Sequence, residues 1–314
     1  MTEGEVCPNE VGSDRNRVPK AVRRSKALPI GWECSSWFHA GACSATIGAE
    51  FGTYLGNVGQ MALPLSLAPL FAQAIAQVQD RRACLFLGDQ QIHCTEEQAR
   101  DAYRDVLRDL PDRDFDSRLK LSLIPRLRER NMISCKYFAR LLGFKDADVV
   151  DIDDRGFVNI VHDLNLPDLK AKTSNVYDIV FDGGTLEHVF SVENSMKNIG
   201  ECTATDGIVI HLVPMNNFIN HGFFQISPTL FFDYYGWNKW DVLLALYVVE
   251  REDGVHAYKA NAKEFSGADM EFPDGKFSTL FVARKTVHST VGVIPTQGMY
   301  AARMKLPREI IELK

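Results

Sequence analysis

Four polar runs in this sequence stand where the chemistry of an open α/β sheet would be placed: Gly88-Asp89-Gln90-Gln91, Asp151-Ile152-Asp153-Asp154, Asp163-Leu164-Asn165 and Asp182-Gly183-Gly184-Thr185-Leu186-Glu187-His188. Ligands of such sheets bind beyond the carboxyl ends of the strands. A carboxylate there can accept both hydroxyls of a ribose in a charge-assisted pair, the role expected of Asp151 or Asp153. The competing reading makes each aspartate a turn former or a loop cap. Their ordered recurrence favours a ligand. His188 offers an imidazole, the side chain best tuned to take a proton near neutral pH. It is expected to act as a general base, or with Glu187 to orient substrate or hold the loop, and His221 is its nearest competitor. Asn216, Asn217 and Gln225 add neutral donors and acceptors suited to a hydroxylated small molecule. His211, inside an apolar run, reads as a core histidine, and Tyr234-Tyr235-Gly236-Trp237 as packing at a helix end.

The elements that must position these residues can be read from the apolar patterning. Strands are predicted at 83–87, where an apolar run ends on Gly88, and at 148–152, 177–181, 208–213, 242–249 and 277–283. Between them, 134–142 places Tyr137, Phe138, Leu141 and Leu142 on one helical face ahead of Gly143, and Val192, Met196 and Ile199 recur at helical spacing. Ser227-Pro228 starts a further helix that Gly236 can end, and Asp206-Gly207 is a turn before a strand. This alternation predicts a mostly parallel sheet with helices on both faces. The charged segment 96–130, with leucines at helical spacing and prolines at 111 and 125, reads as a helical insertion over the acceptor side of the pocket. Residues 1–28 lack apolar periodicity and read as a flexible tail, 29–82 as an N-terminal helical cap with its best helix at 70–79, and 83–314 as the main domain.

The run from Tyr177 to Val189, Tyr-Asp-Ile-Val-Phe-Asp-Gly-Gly-Thr-Leu-Glu-His-Val, resembles the fourth-strand motif of class I S-adenosylmethionine-dependent methyltransferases. Asn216-Asn217-Phe218 followed by His221-Gly222-Phe223-Phe224-Gln225-Ile226-Ser227-Pro228 is similar to the segment after strand five in a branch found in polysaccharide and natural-product gene clusters. The resemblance covers about residues 83 to 285. It implies a Rossmann-like, mostly parallel seven-stranded sheet and S-adenosyl-L-methionine as cofactor. It further implies that Asp163-Leu164 meets the adenine, that Asp182 and Gly183 border the cofactor, and that His188 stands beside the transferable methyl. The first-strand loop departs from the family's GxGxG run, since only Gly88 is present. Gln90 and Gln91 could supply amides to the cofactor's carboxylate or ammonium.

The implied activity is methyl transfer to an oxygen, less readily a nitrogen, of a small polar, sugar-like or natural-product acceptor, and that scheme needs no metal ion. Two alternatives stay open: a non-catalytic binding subunit whose cofactor loop has decayed, and a nicotinamide-dependent sugar-modifying enzyme, against which stands the lack of a GxGxxG loop. The charge of −6, from 35 basic and 41 acidic residues, argues against a general electrostatic grip on nucleic acid. Seven scattered cysteines without paired spacing read as reduced thiols of a cytoplasmic protein, and the basic N-terminus lacks the apolar core of a signal peptide. The uncharged stretch 52–79 is interrupted by proline, asparagine and glutamine, which favours a buried cap or a homo-oligomer contact over a membrane span.

Overall fold

The computed structural model describes residues 44–47, 63–108, 115–251, 254–260 and 274–303. The expected tail at 1–28 and most of the cap up to residue 62 lie outside the described residues. In chain order the elements are β1 (Ser44–Ile47), α1 (Ala68–Ala76), β2 (Ala83–Leu87), α2 (Glu96–Ala102), α3 (Pro125–Arg128), α4 (Cys135–Leu141), β3 (Asp146–Asp151) and β4 (Ile160–Val161). They continue with β5 (Tyr177–Asp182), α5 (Val192–Cys202), β6 (Thr203–Asn216), α6 (Pro228–Trp237), β7 (Asp241–Arg251), β8 (Gly254–Lys259), β9 (Phe277–Arg284) and α7 (Gly298–Arg303).

The strands form one sheet of nine, in the order β1-β8-β7-β9-β6-β5-β2-β3-β4, where seven strands were expected. From β4 to β6 every pairing is parallel, and β9 then enters antiparallel between β6 and β7. The strands beyond the six predicted runs are the two-residue β4 beside β3, β8, which folds back on β7, and β1, which pairs antiparallel with β8. All but β8 and β9 therefore run in one direction, so the sheet is mostly parallel in strand direction, with an antiparallel-paired edge from β6 to β1. β1 adds a strand to the segment 29–82, which reads from the sequence as a helical cap, because four of its residues extend the sheet.

Alternation along the central strands splits the core into two layers. Cys84 and Phe86 of β2 join α1 and α4 on one face, while Ala83, Leu85 and Leu87 join α5 and α6 on the other. Every residue of β2 is buried, as a parallel strand covered on both faces must be. Phe86 and Phe181 stack across the β2–β5 pair with centroids 4.9 Å apart.

The helix starts and stops follow from capping. Ser134 accepts the Tyr137 N–H at the start of α4, Gly143 takes φ +88° just beyond its end, and Ser227 accepts the Thr229 N–H ahead of Pro228. The apolar residues of α1, namely Leu70, Phe71, Ala74 and Ile75, are buried in this chain's own core, which accounts for part of the uncharged stretch. Among the described residues no helix is long and apolar enough to cross a membrane. The turn expected at Asp206-Gly207 is a kink inside β6, with Asp206 at φ +63°.

The insertion is less helical than its charge pattern predicts. Its described residues hold α2, a single 3-10 turn at Ser117–Leu119 and the one-turn α3 that Pro125 begins. A capping box between Thr95 and Gln98 starts α2. The segment packs on α4 through Tyr103 against Phe138 (5.0 Å) and Phe115 against Tyr137 (5.3 Å). Glu96 gathers the Tyr137 hydroxyl at 2.8 Å, Lys120 at 2.6 Å and Arg100 at 2.9 Å. Burial alone would raise the pKa of Glu96, but these donors outweigh it and bring the group to about 2. The insertion reaches the loop after β2 where Arg126 donates to the Gln91 side chain at 2.9 Å.

Candidate active site

The order of strand addition reverses between β2 and β5, since β3 and β4 lie to one side of β2 while β5 and β6 lie to the other. At such a switch point the loops leave in opposite directions and open a crevice. Gly88 closes β2 with φ +79°, donating its N–H to Val150 O at 2.7 Å. A Cβ there would lie 3.3 Å from Thr185 Oγ1 and 3.7 Å from Asp151 Oδ2, so the glycine brings backbone between the loops after β3 and β5. Gln90 folds into the same place. Its Nε2 donates to Leu87 O and, at 3.3 Å, to Thr185 Oγ1, while its Oε1 is buried with no hydrogen-bond partner among the described residues. A Cβ on Gly183 would fall 2.3 Å from that oxygen, so Gly183 is small because Gln90 packs on it. Gln91 points away toward Arg126.

The acidic residues separate by geometry. Asp151 accepts the N–H of Ile152 through Oδ1 and turns Oδ2 toward Gly88. Asp153 is tied to Arg155, with Oδ1 taking its N–H at 2.9 Å and Oδ2 its guanidinium at 2.8 and 2.5 Å. Asp163 closes a turn by accepting the backbone and side-chain N–H groups of Asn165, next to the buried Leu164. Asp89 was not singled out from the sequence. It is partly buried between the loops after β2 and β3, taking the Cys135 thiol at 3.4 Å and lying where a Cβ on Gly156 would fall 2.3 Å from its Oδ2. Burial raises its pKa. Its apparent signal, a lone aspartate in a polar run, is indistinguishable from a loop residue.

Asp182 turns into the protein. Its Oδ1 takes the N–H groups of Thr185 and Leu186, which shapes the loop after β5, and its Oδ2 meets His211 Nδ1 at 2.7 Å. His211 Nε2 in turn lies 2.7 Å from the Tyr235 hydroxyl, and His211 is fully buried. Donation from Nδ1 to the carboxylate, with Nε2 accepting the tyrosine O–H, satisfies all three groups.

The loop shaped by Asp182 presents Glu187 and His188 on a 3-10 turn. Opposite, the loop after β6 folds back, with Phe223 and Phe224 N–H groups donating to Glu187 O at 2.9 and 3.2 Å. This brings His221 Nε2 to 3.4 Å and His188 Nε2 to 3.8 Å from Glu187 Oε1, with the two imidazole centroids 5.0 Å apart. The Glu187 side chain is 0 % exposed and His188 47 %, so the cluster is closed beneath and open above. Burial, with Asp182 behind it, pushes Glu187 up to about 8, while burial and the neighbouring His188 and Lys276 lower His221. Phe190 and Phe223 stand exposed at the rim, in edge contact at 5.8 Å. The sequence marks neither aromatic as a site residue, since a phenylalanine in a loop carries no spacing signal.

The remaining expected residues frame this loop. Gln225 accepts the Phe218 N–H through Oε1 at 2.9 Å, Asn217 donates to Gly275 O, and Asn216 accepts the N–H of Asn217. The structure therefore gives two groups: Gly88, Gln90, Asp151, Gly183 and Thr185 at the crevice, and Glu187, His188 and His221 beside it on the loops after β5 and β6.

No family model matches the sequence, and no curated protein does. Among solved structures the chain is similar to TehB from Haemophilus influenzae, at 16% identity over 69% of this chain and 62% of that one, with a TM-score of 0.37. A second is a 1,6-didemethyltoxoflavin-N1-methyltransferase from Burkholderia thailandensis bound to 1,6-didemethyltoxoflavin and S-adenosylhomocysteine, at 13% identity over 70% of this chain and 78% of that one, with a TM-score of 0.32. A third is an S-adenosylmethionine-dependent methyltransferase from Archaeoglobus fulgidus, at 12% identity over 70% of this chain and 93% of that one, with a TM-score of 0.32.

Proposed function

We propose that this chain transfers a methyl group from S-adenosylmethionine to a hydroxyl oxygen of a small polar acceptor in the cytoplasm. The observation that carries the reading is the crevice at the β2–β5 switch point. There Gly88 brings backbone at φ +79°, Asp151 turns a carboxylate oxygen toward it, and the buried Gln90 Oε1 has no donor among the described residues. These groups support a nucleoside that also carries an amino-acid end: Asp151 would accept ribose hydroxyls, and Gln90 Oε1 an ammonium N–H. Asp163 and Leu164 are assigned to the adenine. Asp182 shapes the loop beside this crevice through the N–H groups of Thr185 and Leu186.

The cofactor supplies an electrophilic methyl. The protein's part is to hold the acceptor oxygen in line, exclude water and accept one proton, so positioning carries most of the rate. His188, half exposed above the buried Glu187, is the proton acceptor that an incoming hydroxyl reaches first, and His221 is the second. Phe190 and Phe223 offer an apolar rim on which the C–H face of a sugar ring or an aromatic ring can lie, with Asn216 at the same edge.

The test is isothermal calorimetry with S-adenosylmethionine and S-adenosylhomocysteine, beside mass spectrometry of small molecules that co-purify. Stoichiometric binding of either is the expected result. Absence of binding by both, in a folded protein, removes the reading.

A further inference from the structure

We infer that Glu187, His188 and His221 form a binding site for a divalent transition-metal ion, with two imidazoles and one carboxylate as ligands. One donor atom from each residue can be chosen so that all lie within 4.8 Å of one another. They come from two loops held together by backbone, since Phe223 and Phe224 donate to Glu187 O and Gly222 packs directly on Glu187. The second observation is the state of the carboxyl group. Glu187 is fully buried, and neither oxygen has a hydrogen-bond partner in another described residue. His221 Nε2, buried 3.4 Å away, is likewise without one. Among the described residues no lysine or arginine ion-pairs with Glu187. A buried carboxyl and a buried ring nitrogen that face each other without a hydrogen bond are groups that a shared cation would satisfy.

The donor set selects the ion. Mg²⁺ and Ca²⁺ favour all-oxygen shells, whereas two imidazoles with one carboxylate suit Zn²⁺, Co²⁺, Mn²⁺ or Fe²⁺. Ligand bonds of about 2.0–2.2 Å require donor atoms roughly 3–3.5 Å apart. The Glu187–His221 separation is already there, and His188 closes the rest by rotating its half-exposed ring inward. Three protein ligands leave at least one coordination position open toward solvent, beside Phe190 and Phe223.

Metal binding at this cluster stands independently of methyl transfer; its use rests on that reading. A hydroxyl coordinated at the open position becomes more acidic, so its O–H bond breaks with the proton leaving to water and the oxygen remaining on the metal. In the loaded protein the two histidines are then ligands, and they serve in proton removal only in the metal-free protein.

The experiment titrates chelator-treated full-length protein with Zn²⁺ by calorimetry and with Co²⁺ by visible absorption, measuring S-adenosylhomocysteine affinity on the same preparations. One equivalent of Zn²⁺ and an intense Co²⁺ d–d spectrum are expected, both lost or weakened at least about tenfold in Glu187→Gln and in His221→Ala. His288→Ala, at an exposed site elsewhere, should bind as the wild type does. Circular dichroism confirms folding, and His188→Ala, on the exposed side, provides a variant that leaves the buried pair intact. No stoichiometric binding, or binding indifferent to all three ligand substitutions, overturns the metal site. Retained metal binding without nucleoside binding instead overturns the methyltransferase reading and leaves the metal site standing.

Discussion

Gly222 lies so close to Glu187 that a Cβ at position 222 would come within 2.8 Å of the Glu187 carbonyl oxygen and 3.1 Å of its Cγ. The loop carrying His221 is thus seated on the residue that its imidazole faces. Gly222→Ala should push the loop outward, break the two N–H bonds from Phe223 and Phe224, and separate His221 from Glu187. Overpacking of this kind costs about 1–3 kcal/mol, so the protein should still fold while losing turnover and Co²⁺ absorption. Wild-type Co²⁺ spectra from the alanine variant would show that the loop adapts and that the close approach has no functional meaning.

Asp151 and Asp153 are predicted to differ in nucleoside binding. Asp151 directs Oδ2 at the crevice, whereas Asp153 spends both oxygens on Arg155. Losing a charged hydrogen-bond partner costs about 1.5–3 kcal/mol, so Asp151→Ala should weaken S-adenosylhomocysteine binding by roughly 10- to 100-fold. Asp153→Ala should leave the affinity within about twofold, since exposed local pairs contribute little. Equal effects in the two variants would withdraw the assignment of Asp151.

The contrast shows what the sequence could and could not resolve. Strand ends and their order were legible because buried parallel strands are continuous apolar runs, so Asp151, Asp182 and His188 could be placed at the correct edge of the sheet. Which carboxylate faces the crevice was not, because that depends on whether Arg155 or Gly88 lies nearer, and both are close in sequence or fold. Asp182 was expected at the cofactor but turns inward, since its partner His211 is contributed by the neighbouring strand. β4 and β1 are not legible because they span only two and four residues, β1 within a segment whose composition suggests a helical cap, and β8 because its buried Val255 and Ala257 alternate with His256 and Tyr258 instead of forming a continuous apolar run. The convergence of His188 and His221 on Glu187 required the fold-back of the β6 loop, which no local spacing encodes.

The chain from Asp182 through His211 to Tyr235 should act as a stability element. Every group in it is buried, so removing one leaves another without a partner. Tyr235→Phe deletes one neutral hydrogen bond and should cost about 1–2 kcal/mol. Asp182→Ala strands the imidazole and two loop N–H groups and should cost at least about 3 kcal/mol. Urea denaturation orders the two variants, and a larger loss in the tyrosine variant would contradict this accounting.

Glu96 sets an acid limit on the insertion. Its folded pKa of about 2 lies below the ordinary 4.5, so its bonds to Lys120, Tyr137 and Arg100 stabilise the folded state above pH 4.5. That contribution declines as pH falls through 4.5 toward 2. Glu96→Gln should therefore be less stable than the wild type at neutral pH, with the gap narrowing in acid. Melting curves between pH 7 and pH 3 measure it, and a gap constant across that range would mean that the carboxylate is not what joins α2 to α4.

His188 and His221 are predicted to lose activity in patterns that depend on metal. In chelator-treated protein, removal of the residue that takes the acceptor proton should lower the chemical step by about 10²–10⁴-fold while cofactor binding survives. The half-exposed His188 should carry that loss, with His221→Ala affected less, because burial and the neighbouring His188 and Lys276 depress the basicity of His221. With Zn²⁺ or Co²⁺ present the order should change, since each histidine is then one of three ligands and the buried His221, already 3.4 Å from the carboxylate, anchors the ion. Single-turnover methyl transfer by both variants, with and without metal, reads the difference. Near-normal turnover by a folded His188→Ala protein in both states would leave proton removal to another group and limit the role of this cluster to holding the loop.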